Sequence, residues 1–476
     1  MRPNIRQVRG RPVPRRATQS GMVLPYALFV TVLILILGLA FLQTSATESL
    51  VATRNVQRLQ ANAAAEYGIA RACAMAGSQL GDWFAMTYNG TVLTWATSPA
   101  YGGYSICTLF TNQTLPAFPS ATYTVVIQDL SGDVMFSHNY RIHSYGTVGG
   151  YTRHVSLDCE AQTFAAFGWL TNDEHGVYFI TGDTLTGEIY TNGQFNIDGN
   201  PAFKGPTFCG SPSLHYMNGG PPNDNPTFQA PGCQFNAPNI NISELLNGGQ
   251  ITAIQDQAVA GGVSEPLNNG FGYTLTFNPG GTFTLVQNGG TVGRHTIQPV
   301  TLYNNAAIST TNGAFYFQDN VQVSGTLDGQ VTVATSTAGN IEITNNLVYS
   351  YPGNPATLFQ PGYNPTNDPL LTSKLALISG NDVLIAPSAW SNIGANMYVT
   401  AIIASVGGSF ENLDYQDTPQ KKLNIFGGIC QTTRGAVGQT SGTGFVKDYL
   451  YDTRFLTTPP PFLPPIHASY SNWQLF

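Results

Sequence analysis

Residues 22–42 form an apolar run without a single charge. A run of that length is enough to cross a bilayer as a helix. Beyond it, Ala52, Val56, Leu59, Ala63, Tyr67, Ala70 and Ala74 recur at steps of three and four. That spacing predicts a helix with one buried face, and Glu48, Arg54, Arg58, Glu66 and Arg71 lie largely off it. Pro25 falls in the first turn, where a missing N–H costs little. The pattern therefore predicts one unbroken helix from Met22 to about Ala76, roughly 80 Å long.

From residue 82 to 166 the period changes to two. Strands are expected at 91–95, 104–110, 123–128, 139–145 and 152–159, split by Gly102-Gly103, Asn112, Ser131-Gly132 and Gly149-Gly150. A helix stripe of this kind needs a sheet to cover it, so a small antiparallel sheet packed on the helix is expected. His143 and His154 fall on facing strands and read as surface residues, with no carboxylate spaced for a metal site.

After residue 167 the apolar runs shorten to three to six residues with Gly, Asn and Asp corners. They fall at 177–180, 188–191, 195–197, 315–317, 321–323, 330–334, 341–344, 375–378, 383–385, 398–404 and 423–429. This grammar predicts a large all-β domain, a right-handed parallel β-helix or solenoid, with a β-sandwich as the alternative. The fold class is α+β. The expected division is a basic leader at 1–21, the long helix at 22–80 with its span at 22–42, and a small β domain at 81–166. The solenoid-like domain then covers 167–458, with a Pro/Gly/Asn-rich loop insertion at 210–240. A short helix capped by Ser243 is expected over 243–258. A proline-rich tail at 459–476 is expected to lie along the domain, anchored by Phe462 and Trp473.

Charge sets the orientation. Arg2, Arg6, Arg9, Arg11, Arg15 and Arg16 precede the apolar run with no acidic residue among them. A basic flank is held on the cytoplasmic side, which places the bulk of the chain outside. The whole chain carries net charge −7. Without these arginines, 13 basic residues face 26 acidic ones, so a nucleic-acid partner is not expected. A charged fraction of only 9 %, with 51 glycines and 30 prolines, suits many short strands and turns.

The candidate chemistry is sparse. Six cysteines are present, and Cys209 with Cys233, then Cys73 with Cys107, are the candidate disulfides. No P-loop, zinc spacing, nucleophile elbow or dinucleotide fingerprint occurs. The densest acidic patch holds Asp173, Glu174, Asp183 and Glu188 beside His175. These four are candidate Ca²⁺ ligands. A pair of them could serve glycoside hydrolysis. In the plainer reading, Asp183 caps a Gly-Asp turn and Asp173-Glu174-His175 sits on a solvated corner. The expectation is no enzyme and no cofactor, with Ca²⁺ as the alternative.

Two resemblances add to this reading. Ser20-Gly21-Met22-Val23-Leu24-Pro25, the apolar run, and Ala63-Ala64-Ala65-Glu66-Tyr67-Gly68-Ile69-Ala70 resemble the N-termini of PilX-like minor pilins of type IV pili. The hairpin around Tyr140 to Val155 is similar to the closing hairpin of pilin-like heads. The resemblance implies cleavage by a prepilin peptidase between Gly21 and Met22, and a helix that packs into a filament. Tyr26 stands where major pilins carry a glutamate that neutralises a neighbour's amine. That departure implies a tip or accessory subunit, or a processed protein left in the membrane.

Thr181-Gly182-Asp183, Tyr190-Thr191-Asn192-Gly193, Gly199-Asn200-Pro201-Ala202-Phe203, Ser324-Gly325-Thr326-Leu327 and Tyr451-Asp452-Thr453-Arg454 resemble a bacterial domain family of unknown function found behind such N-termini. The expected protein is a single-pass, pilus-associated surface protein of the bacterial inner membrane. Its N-terminus is cytoplasmic and its bulk periplasmic or extracellular, or carried in a pilus or pseudopilus. The expected partners are pilin-like subunits or assembly machinery, and an extracellular polysaccharide or surface. A membrane-tethered polysaccharide-active enzyme and a plain signal-anchored spacer or adhesin are the alternatives.

Overall fold

The computed structural model describes residues 23–78, 87–88, 91–130, 139–240, 242, 248–352, 355–360, 363–463 and 465–476. A long apolar N-terminal helix is followed by a small antiparallel sheet and a large β-rich domain. The helix runs Val23–Ser78 as one element. Its second half docks on a six-stranded sheet ordered Ala96–Thr97, Ser105–Leu115, Phe118–Asp129, Asn139–Val148, Tyr151–Thr163 and Pro465–Leu475. Every pairing in that sheet is antiparallel.

The buried face of the helix is not the expected stripe. Ala61, Ala64, Ala65, Ile69 and Ala72 meet Tyr123, Val125, Tyr140 and Ile142, while Val56, Leu59 and Tyr67 stay exposed. The reason is distance. A Cβ added to Gly146 of the sheet would lie 2.0 Å from the Ala61 carbonyl, and one added to Gly68 of the helix 2.2 Å from Ser144 Oγ. Backbone meets backbone, so only the smallest residues fit the contact face.

The expected proline-rich tail is also different. Its first part is a strap in which Leu463 is buried and the Thr332 hydroxyl bonds the Pro461 carbonyl. Its second part, Pro465–Leu475, is the sixth strand of the small sheet and covers the edge left by Tyr151–Thr163. Phe462 packs against the core as expected, whereas Trp473 is exposed.

The large domain is dominated by a parallel ladder. One column runs Val263, Phe315, Val333, Leu377, Ile403, Ile429, Trp169, Ile189, Thr207 and Cys233, each parallel to the next. The adjacent column, from Tyr316 through Ala334, Ile378, Ala404, Cys430 and Leu170 to Tyr190, faces the opposite way. The two columns belong to separate apolar clusters, so most of the ladder is buried on both faces. Burial on both faces is why these strands read as continuous apolar runs.

Chain order breaks once in the column, between Ile429 and Trp169. The domain starts mid-ladder at Phe167–Asp173 and builds outward to Cys233–Phe235. It resumes at the far end with Val263–Glu265 and returns to the starting strand. Ten strands span about 43 Å at ~4.8 Å per step. Between Phe235 and Val263 the helix Gly248–Gly261 packs on the outer face of the ladder through Ile251, Ile254 and Ala258. Ser243, the expected cap, lies outside the described residues.

The region 210–240 is not simply a surface loop. It contributes His215–Tyr216, Thr227–Phe228 and Cys233–Phe235 to parallel ladders. Its prolines and glycines sit between these very short strands.

Candidate functional site

The first half of the helix is the most distinctive surface. An 18-residue window in Val23–Met75 is apolar enough to cross a membrane, and none of it is covered by the rest of the chain. The hydroxyls of Thr31, Thr44 and Thr47 donate to the carbonyls four residues earlier, at 2.7, 2.9 and 2.7 Å. These three hydroxyls are thus satisfied within the helix, as a lipid environment requires. Tyr26 is exposed in the first turns. Gly21 and Met22 lie outside the described residues.

The acidic patch does not converge. Among the described residues no group of three His, Cys, Asp or Glu side chains is placed to hold a metal. Asp173 accepts the His175 N–H at 2.9 Å and closes a local turn. Glu174 is buried and paired with Arg434 at 2.8 Å, while also accepting from Trp169 Nε1 and the Thr171 hydroxyl. Asp183 is buried and paired with Lys447 at 2.7 Å. It also accepts the N–H of Ile180 at 2.9 Å and of Lys447 at 3.0 Å. Glu188 is shifted upward by burial. Glu174 and Asp183 each already have a buried cation, so neither is a spare ligand for Ca²⁺; Asp173 and His175 sit on an exposed corner and Asp183 bonds within its turn as the plainer reading expected, while Glu174 is buried instead.

Those cations were not legible as partners. Arg434 and Lys447 lie 260 and 264 residues further along the chain. One signal was available: in Phe445–Tyr451, Lys447 shares its face with the buried Phe445, Tyr449 and Tyr451. A lysine at an inward strand position calls for a carboxylate. A third buried pair, Asp452 with Arg454 at 2.5 Å, holds the end of the domain, and Arg454 also donates to the carbonyls of Leu371 and Ser373.

His143 is buried rather than at the surface. Its Nδ1 lies 3.0 Å from His154 Nε2, and its Nε2 lies 2.8 Å from Gln128 Oε1. Gln128 Nε2 donates to the Tyr101 carbonyl, which fixes the amide. His143 Nε2 therefore donates, and His143 Nδ1 accepts from His154. Burial pushes the His143 pKa down to about 4, with His154 adding to the effect. His154 is sandwiched between the rings of Tyr145 and Phe476.

All six cysteines are free thiols, so neither expected disulfide is present. Cys209 and Cys233 are on neighbouring parallel strands but two residues out of register. That offset separates the Cα atoms by about 8 Å, beyond disulfide reach. A hydrogen bond from the Cys233 thiol pulls the Cys209 pKa down. Cys73 lies on the helix, where its carbonyl accepts the Tyr470 hydroxyl at 3.0 Å, and Cys107 is buried in the small sheet.

An open cleft of about 590 Å³ lies beside Phe445–Tyr451 in the large domain, lined by Tyr363, Phe426 and Tyr451 with Asn364, Thr366 and Thr453. Among the described residues no charged side chain lines it. Aromatic walls with hydroxyl and amide groups suit a neutral, hydroxyl-rich ligand.

The sequence matches no protein-family model and no curated protein. Among solved structures, the competence-associated pilin ComZ from Thermus thermophilus aligns with 88 % of this chain and 98 % of its own, at 12 % identity and a TM-score of 0.30. A similarity that distant carries neither fold nor function.

Proposed function

We propose that this chain is a pilin-like surface protein of the PilX-like minor type. Its helix is rooted in the bacterial inner membrane with the N-terminus cytoplasmic, and its β domains lie outside. One observation carries the reading. A bare apolar segment continues without a break into a helix docked on a sheet through alanines. The exposed Val56, Leu59 and Tyr67 then provide a second apolar stripe for neighbouring pilin-like subunits or assembly machinery. The tyrosine at position 26 favours an accessory or tip subunit. The large domain winds as a parallel β-helix and serves a structural or adhesive role, with the uncharged cleft as its contact for extracellular polysaccharide or another surface.

A non-enzymatic role is part of the proposal. What supports it is that Glu174 and Asp183, two of the acids considered for hydrolysis, are committed to buried ion pairs. The test is mass spectrometry of the chain isolated from cells that carry a prepilin peptidase. The expected product begins at Met22. A product retaining Met1 overturns the pilin reading and leaves a signal anchor; a cut beyond Leu42 makes the chain simply secreted.

A further inference from the structure

The pair at the closure of the large domain is chemically unlike the other buried pairs. Arg434–Glu174 and Arg454–Asp452 use guanidinium groups, which are poor nucleophiles, and Lys422–Asp448 is half in solvent. Lys447 and Asp183 combine a primary amine with a carboxyl at 2.7 Å, both buried. Lys447 Nζ also lies 5.8 Å from the centre of the Phe179 ring. Burial draws the Lys447 pKa down, only partly offset by Asp183. Both carboxyl oxygens are held: Oδ2 by the Ile180 N–H, Oδ1 by the Lys447 N–H. The electrophile and nucleophile are thus fixed side by side in a dry site, as an intramolecular condensation requires.

We propose that Lys447 and Asp183 join through an isopeptide bond between Nζ and Cγ. The ammonium proton passes along the hydrogen bond to Oδ2, leaving a neutral amine beside a neutral acid. The amine lone pair attacks Cγ, and the charge that develops on Oδ1 is received by the Lys447 N–H. A second proton leaves Nζ for Oδ2, the Cγ–Oδ2 bond breaks, and one water departs. The C–N bond replaces the C–O bond, so the reaction is a dehydration with no change of oxidation state and no co-reactant. The link joins the turn after Tyr178–Ile180, near the start of the domain, to Phe445–Tyr451, its last long strand. It closes residues 183–447 into a covalent ring, so tension between the segments that flank it, before Asp183 and after Lys447, passes through the link instead of pulling the strands between them apart. This inference does not depend on the pilin reading.

The experiment is peptide mapping of the full-length chain purified in detergent, denatured and digested with trypsin. The expected result is a branched peptide linking the Asp183 and Lys447 segments, lighter than their sum by one water, with no cleavage after Lys447. Asp183→Asn is expected to give the same branched product by losing ammonia. Lys447→Met is expected to give only linear peptides. Cleavage after Lys447 in the folded wild-type protein, with the Asp183 peptide linear, overturns the proposal; that reading comes from the unaltered chain and does not require any variant to fold.

Discussion

The small sheet and the large ladder both hold Asp or Glu against a cation, yet the two regions use the pair differently. In the sheet, Arg141 and Asp158 meet at 2.5 Å where the arginine is still a third exposed. In the ladder, Glu174–Arg434 and Asp183–Lys447 meet where water is excluded. The sheet has one face on the helix and the other only partly covered, so Arg141 and Asp158 keep some contact with water. The ladder is covered on both faces, so a charge within it must bring its partner inside. Placing these partners where the domain begins and ends makes closure specific: mismatched strands would bury unpaired charge.

The contrast is broken most severely by removing one partner. Glu174→Ala leaves Arg434 buried beside the rings of Trp169 and Phe179. It is expected to lower unfolding stability by about 3–5 kcal/mol in denaturant titration. The double change Glu174→Leu with Arg434→Met should recover most of that loss, because apolar packing replaces the charge pair. Next is the helix dock. Gly146→Val places a side chain into the Ala61 backbone and is expected to cost about 3 kcal/mol. Limited proteolysis would then cut the helix while sparing the ladder.

Acid should distinguish the same two regions. His143 has a folded pKa of about 4 against its usual 6.5, so the unfolded chain binds more protons between those values. Stability of the small sheet should fall by up to about 3 kcal/mol as pH drops from 6.5 to 4. His143→Gln should flatten that slope. Gln128, His154, Tyr101, Arg141 and Asp158 surround this group, and only the histidines titrate in that window. The smallest effect is expected for Asp158→Asn, under about 1 kcal/mol, because its partner remains in contact with water.

What was legible in the sequence follows local pattern. The short strands Glu188–Thr191 and Val383–Ile385 occur where apolar runs and turn residues place them. The helix is continuous because nothing in residues 26–78 interrupts it. What was not legible is non-local. Tail residues 465–475 pair with a strand some 300 residues earlier, and no local pattern encodes that choice. The helix face was misassigned because large apolar residues were expected inside, whereas close backbone approach selects alanine and glycine. The acids were read apart from their cations because the closure brings distant segments together.

The central claim is that the bare front half of the helix is the membrane root and that everything beyond it lies outside the cytoplasm. Leu413 is exposed on the large domain, so a Leu413→Cys variant gives a direct readout with a membrane-impermeant maleimide on spheroplasts. The account predicts labelling of intact spheroplasts above the unsubstituted chain. Labelling that appears only after lysis would contradict it.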